Sequence, residues 1–375
     1  MAKSVPAPGF CAMLDCCHKA GRIGQFTVVD GGSMGMVFGL LAIGVLAGPT
    51  PRADANVATM RVAREAMGTE FEILLCGRDA QSLVDAANEA LDEVEELDRQ
   101  MSLYNERGEL SSINRRAAVA PVRVEPRLFG LLELAGEVNA ASEGAFDVTV
   151  APLMKCWGFF RGQGKLPTAD GIATALESVG MGHVELRQAD RTIRFRRPGV
   201  QIDLGGIGKG YALDRAAQVL RERGISSALI HGGKSSVYAL GAPPDAEAWA
   251  VGIRHPHDAS KRIAVVHLRD RALSTSGNYE KFFEADGKLY SHIMDPRTGY
   301  PATGMLSASA LGPTAAETDA LSTAFFVMGE AKTREYCAAH PDIQAVLVPE
   351  PMRGEPLQTL RIGMEEFSRG ERSEQ

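Results

Sequence analysis

The segment Asp203-Leu-Gly-Gly-Ile-Gly-Lys-Gly-Tyr211 places four glycines between positions 205 and 210, and no other stretch restricts the fold so tightly. Glycine weakens the interior of a helix or strand but supplies turns and close backbone approaches that other residues forbid. The segment therefore reads as a connection. Ile202-Asp203-Leu204 ends a strand, and residues 211–223 form a helix stopped by Gly224. A strand, a glycine turn and a helix start aim backbone N–H groups at an anion, and Lys209 would add a point charge. A tight turn that only packs helix on strand would explain the glycines, though not Asp203 and Lys209.

Three further polar segments follow in order: His231-Gly-Gly-Lys-Ser-Ser236, Ser274-Thr-Ser-Gly-Asn-Tyr-Glu-Lys-Phe-Phe283 and Ser291-His-Ile-Met-Asp-Pro-Arg-Thr-Gly299. A fifth, Thr318-Asp-Ala-Leu-Ser-Thr323, opens an apolar helix. Their side chains supply donors, charges and metal ligands, and together they suit a site that handles phosphate with a cation. Asp319 and Thr323 stand four residues apart, on one helix face. Carboxylate, hydroxyl and backbone carbonyl are hard oxygen ligands of the kind Mg²⁺ prefers. An Asp near a helix start is equally ordinary capping chemistry, and a Thr can bond its own backbone. His292 is either a hydrogen-bonded His beside a strand or an exposed working imidazole, and its polar, turn-forming neighbours favour the second.

Simpler motifs fail. A Walker A loop would need glycine where Asp203 stands and Ser or Thr where Gly210 stands, and Gly206, Gly208 and Gly210 are too evenly spaced for a dinucleotide fingerprint. No G-x-S-x-G elbow supports a serine hydrolase.

At 375 residues and 45% apolar content, the chain can bury a large core. A net charge of −7 without a Lys/Arg block argues against nucleic acid as a partner. The six cysteines, at positions 11, 16, 17, 76, 156 and 337, show no zinc-site spacing and no disulfide framework. Residues 34–47 form an apolar run too short for a comfortable membrane span but suited to a signal peptide. Ala53-Asp-Ala55 offers a cleavage pattern, with Lys3, Lys19 and Arg22 upstream. The expectation is export, to the periplasm or the outer face of the cytoplasmic membrane, with possible membrane association through this segment; a short cytoplasmic-side anchor or a buried segment is the alternative.

The remaining organisation is a leader and linker over 1–56, a folded unit over 57–365 and a polar tail over 366–375. Alternation predicts a strand over 70–76. Apolar residues at helical spacing predict a helix over 81–101, and Pro126 in a first-turn position starts another over 127–141. Strands are expected at 191–195, 228–230, 237–240, 248–253, 263–268, 272–275 and 343–348, with a helix over 316–329. Helices and strands mix without strict alternation, which favours an α+β fold with mixed sheets and packed helices over a doubly wound sheet.

With these residues in view the chain resembles the ApbE family, flavin transferases that move FMN from FAD onto a protein Thr or Ser. The likeness runs from Ala66-Met-Gly-Thr-Glu-Phe71 to Gly329. It includes Met101-Ser-Leu-Tyr-Asn105, Ser111-Ser-Ile-Asn114, Gly144-Ala-Phe-Asp-Val-Thr149, Pro152-Leu153, Trp157-Gly-Phe159 and the five segments above. The resemblance implies that Met67, Tyr104, Ala145, Phe146, Asp147, Asp203, Lys209 and Ile293 line the FAD site, with Gly232 and Gly233 beside it. It implies Gly206, Asp319 and Thr323 as Mg²⁺ ligands. His292, Lys209 and Ser276, the last in a Ser274-Thr-Ser-Gly277 turn, are the implied catalytic group. FAD is then the donor and an acceptor flavoprotein with an exposed Thr or Ser the partner.

Two departures stand out. Many relatives carry Asn-x-Gly-Gly-Asp where this chain has Ile230-His-Gly-Gly-Lys234, and Asn278 stands where Asp is common. FAD hydrolysis, or flavin binding without turnover, is the alternative to transfer.

Overall fold

A computed structural model describes residues 57–162, 164–352 and 354–364. The apolar run at 34–47, the cleavage pattern at 53–55 and the tail at 366–375 lie outside the described residues. Among those described, no helix is long and apolar enough to cross a membrane.

In chain order the main strands are β1 (Ala58–Ala66), β2 (Thr69–Gly77), β3 (Ala228–Gly232), β4 (Ser236–Leu240), β5 (Trp249–Arg254), β6 (Arg262–Leu268), β7 (Arg271–Gly277), β8 (Met305–Gly312), β9 (Gln344–Pro349) and β10 (Leu360–Ile362). The helices are α1 (Ala80–Met101), α2 (Glu109–Arg116), α3 (Pro126–Ala141), α4 (Ala151–Cys156), α5 (Ala169–Leu176), α6 (Gly208–Glu222) and α7 (Ala315–Ala339). Eight strands form one sheet in the order β1-β2-β3-β4-β7-β8-β9-β10, with every neighbouring pair antiparallel. A small three-stranded sheet and three two-stranded hairpins, one of them β5–β6, complete an α+β architecture among the described residues.

The sheet is covered on both faces. Phe71, Ile73 and Leu75 of β2 are fully buried in the cluster that includes Leu91 and Val94 of α1, Leu213 of α6 and Phe325 of α7. On the opposite face Leu229, Val237, Leu273, Leu311 and Val346 meet Trp249, Val251, Ile253, Val266 and Leu268 of the β5–β6 hairpin. Because successive side chains of a strand point to opposite faces, β7 sends Leu273 to the hairpin and Ser274 and Ser276 toward α7. A third cluster forms around Trp157, whose Nε1 donates to the Gly299 carbonyl at 2.9 Å.

Local chemistry explains most boundaries. Asp79 caps α1 by accepting from the Gln81 N–H, and the predicted stripe from Leu83 to Met101 is buried. Glu125 takes the N–H groups of Arg127 and Leu128, with Pro126 in the first turn of α3. Met67 and Gly68 have φ of 52° and 71°, the paired left-handed values of a two-residue hairpin between β1 and β2.

Four expectations need correction. Residues 202–204 are not a strand. The Asn114 side chain brackets Ile202, donating to its carbonyl at 2.9 Å and accepting its N–H at 2.8 Å, and the Asp203 N–H goes to the Val148 carbonyl. Backbone groups satisfied this way leave none for a ladder. The helix expected over 211–223 starts at Gly208, so Lys209 and Gly210 lie in its first turn. The helix expected to stop at 329 continues to Ala339, with Gly329 alone leaving helical geometry at φ 76°. Ser274-Thr-Ser-Gly277 is the end of β7, not a turn.

Gly210 is where α6 crosses closest to α7. A Cβ there would lie 2.0 Å from the Ala315 carbonyl oxygen. Gly210→Ala, although it favours a helix intrinsically, should therefore destabilise the protein by about 1–3 kcal/mol through overpacking. Urea unfolding of the variant checks this; a gain in stability would show that the two helices separate at little cost.

Candidate active site

The first turn of α6 and the second turn of α7 bring Lys209 and Asp319 together. The Lys209 ammonium lies 3.2 and 3.3 Å from the two Asp319 carboxylate oxygens. Asp319 is only 5% exposed, and such a buried charge needs partners. The Gly210 N–H donates to its Oδ2 at 3.0 Å and the Ser236 hydroxyl to its Oδ1 at 3.0 Å. One turn further along α7, the Thr323 hydroxyl lies 3.2 Å from the Ser276 hydroxyl, which also meets Ser322 at 2.9 Å. Gly206, in the turn before α6, adjoins them. A Cβ on it would stand 3.7 Å from Thr323 Oγ1 and 3.1 Å from the Phe146 ring.

One carboxylate, four hydroxyls and a glycine backbone are hard oxygen donors of low total charge, which fits Mg²⁺ completed by water and phosphate. Among the described residues, no three His, Cys, Asp or Glu side chains converge on a metal-binding point. Ser276 sits with the oxygen donors and not against the imidazole.

His292 is set by a different contact. Its Nδ1 lies 3.0 Å from the Lys281 carbonyl, which also accepts the His292 N–H at 3.0 Å. A carbonyl can only accept, so Nδ1 carries the hydrogen and Nε2 keeps its lone pair. The ring is half-buried and not, as expected, exposed; its desolvation, aided by the charges of Lys281 and Lys209, lowers its pKa to about 4, so the imidazole is neutral in the physiological range. Asp203 accepts from the Gly205 N–H at 2.8 Å; burial raises its pKa, partly offset by that bond and by Lys281 and Lys155.

The other expected residues divide. Tyr104 is 74% exposed, packs on the Phe160 ring at 5.5 Å and donates its hydroxyl to the Phe160 carbonyl. Met67 is held by its N–H donating to Asp98 at 2.9 Å. Ala145, Phe146 and Ile293 are buried. The Asp147 carboxylate already receives Thr149 N–H and hydroxyl, Met181 N–H and the Asn139 amide. Burial still raises its pKa. Gly232 and Gly233 serve the β3–β4 turn, since a Cβ would meet the Phe71 ring at one and Thr69 at the other. That turn reaches the cluster through Ser236, a residue to which no sequence motif assigns a role. Ser322 and Lys281 were likewise unassigned, because hydroxyl pairing across elements and a backbone carbonyl leave no motif.

The charge reversal at Lys234 falls on the same turn. It is exposed and lines a small cleft with Arg254, Tyr279 and Glu280, apart from the Lys209–Asp319 cluster. Asn278 is used through its backbone, which donates to the Leu306 carbonyl at 3.1 Å.

Residues 67–347 match the model of the ApbE family. A Treponema pallidum protein named FAD:protein FMN transferase is 34% identical over 286 residues, covering 72% of this chain and 79% of its own length. A Klebsiella pneumoniae protein of the same name is 31% identical, with 76% and 83% covered. Among solved structures, an ApbE protein of Thermotoga maritima aligns with a TM-score of 0.73 at 30% identity, covering 81% of this chain and 97% of its own. The flavin transferase ApbE of Vibrio cholerae gives 0.72 at 26%, with 82% and 97% covered. A family match over most of the described residues, with the same fold beneath it, places this chain in the ApbE family.

Proposed function

We propose that the protein is an FAD:protein FMN transferase that uses FAD as donor, Mg²⁺ as its metal and a Thr or Ser hydroxyl of an acceptor flavoprotein as the nucleophile, releasing AMP. The observation that carries this reading is the cluster of Lys209, Asp319, Thr323 and Ser276 beside Gly206, on a chain whose relatives bear that name. The apolar run at 34–47 supports action outside the cytoplasmic membrane.

In the reaction the acceptor oxygen attacks the phosphorus on the FMN side of the pyrophosphate. A new P–O bond forms, the bond to the bridging oxygen breaks, and AMP leaves with that electron pair. Such transfers depend on positioning and charge neutralisation. Mg²⁺ held by the Gly206 carbonyl, Asp319 and Thr323 would draw charge from the phosphate oxygens. Lys209 would share Asp319 with such a cation, and its ammonium would then be available to neutralise phosphate charge. His292 receives the acceptor proton on Nε2, the nitrogen left free by the Lys281 carbonyl. Tyr104 offers an exposed ring to cover the flavin.

The direct test is mass spectrometry of a candidate acceptor incubated with the protein, FAD and Mg²⁺. One FMN should be gained per AMP released. AMP release with an unmodified acceptor and free FMN would instead identify a hydrolase.

Asp319→Asn keeps the size and one acceptor oxygen but removes the charge. AMP release should fall on the order of 10²-fold or more, while a thermal melt still shows a folded protein. Retained metal-dependent release would place the cation elsewhere.

His292→Ala should slow transfer by about 10²–10⁴ with FAD affinity little changed. The acid limb of kcat/KM, which reports the free enzyme, is expected near pH 4 and not at 6.5. Stability has a matching sign. Between pH 6.5 and 4 the unfolded chain binds a proton that the folded chain refuses, so stability falls as pH drops through that window. His292→Ala should remove this part of the slope in denaturant unfolding. An unchanged slope and an unchanged limb in the variant would assign the base elsewhere.

A further inference from the structure

Asp214 is used by neither the proposed chemistry nor any motif that drew attention to the site. It lies in α6, four residues beyond Gly210 and so on the same helix face. Its two carboxylate oxygens receive the first N–H groups of α7, Ala315 at 2.7 Å and Ala316 at 2.8 Å. The residue in the usual capping position, Thr314, makes no side-chain capping bond. The cap of α7 is therefore supplied by the neighbouring helix.

That difference matters for the site. A side-chain cap from position 314 itself, which Thr314 does not make, would serve early N–H groups of α7 from within its own element and leave α7 free to slide against α6. A cap rooted in α6 fixes one helix on the other. The tie runs in both directions, because the Gly210 N–H of α6 donates back to Asp319 of α7 at 3.0 Å. Gly210, with no room for a Cβ against the Ala315 carbonyl, keeps the crossing close enough for all three bonds. Asp319 follows Ala315 by one helical turn and Thr323 by two, so a displacement at the start of α7 moves both against Gly206 and Lys209.

We propose that Asp214 is a positioning residue for the cation site. By gripping the first turn of α7 it sets the distance between the Asp319 and Thr323 donors on one helix and Gly206 and Lys209 at the head of the other. It touches neither the cation nor the flavin. The inference rests on the cation reading of Asp319 and Thr323 given above.

The test uses Asp214→Asn, which keeps the size and one acceptor, and Asp214→Ala, which removes both. Mn²⁺ serves as the probe, its binding to the FAD-loaded protein followed by loss of the free-ion EPR signal. Half-saturation should rise roughly tenfold in Asp214→Asn and further in Asp214→Ala, the scale typical of residues that orient metal ligands. The Mg²⁺ concentration for half-maximal AMP release should rise in parallel, with FAD binding in the absence of metal unchanged. Thr314→Asp added to Asp214→Ala separates positioning from capping: a local cap should restore the melting temperature and leave Mn²⁺ affinity weak. Mn²⁺ affinity within about twofold of the parent in a folded Asp214→Asn, or full recovery of affinity by Thr314→Asp, overturns the proposal. If Asp214→Ala does not fold, Asp214→Asn alone decides. Failure of the underlying reading looks different: the parent protein would then bind no Mn²⁺ that Asp319→Asn abolishes, whatever Asp214 does.

Discussion

The contact on which this molecule turns is the crossing of two helix starts. Gly210 of α6 meets the backbone of Ala315 in α7 at a separation that only glycine tolerates. The crossing lets the Gly210 N–H reach the Asp319 carboxylate and puts Lys209 beside it. A carboxylate held by an ammonium, a backbone N–H and a hydroxyl can be buried at a cost the fold can carry. Without that crossing the same groups would be scattered along two surfaces.

The sheet supplies the other half of the arrangement through its two-residue period. β4 and β7 turn Ser236, Ser274 and Ser276 toward α7, while their alternate residues Val237 and Leu273 anchor the β5–β6 hairpin. One strand thus carries polar site residues and apolar core residues without conflict, because each set meets a different layer. A slip of one register would exchange them and lose both. The site serines are pinned by hydrophobic packing on the far side of the sheet.

Much of this was readable from the residue order. The helix over 81–101, the Pro126 start and most strands followed from periodicity and punctuation, and four of the five polar segments contribute residues to the cluster around Asp319. The errors have a common cause. Residues 202–204 carry strand-like residues, but their backbone partners are an Asn114 side chain and a carbonyl from another loop. The helix at 208 begins on glycines, which propensity alone rejects, because tertiary contact decides there. Gly329 looked like a terminator, yet α7 resumes beyond it. Asp214, Ser236, Ser322 and Lys281 act through partners distant in sequence, so no local pattern could reveal them.

The Lys209–Asp319 pair has one more consequence, for the life history of the protein. Many metal sites are assemblies of like charges that repel until the ion arrives, and their chains fold only when the metal is present. Here the ammonium already balances the carboxylate, and the two side chains sit 3.2 Å apart. On the proposed reading of the site, folding would therefore not have to wait for a divalent ion, which could be bound afterwards. Lys209 would then be a place-keeper for the cation, separating maturation from metal supply.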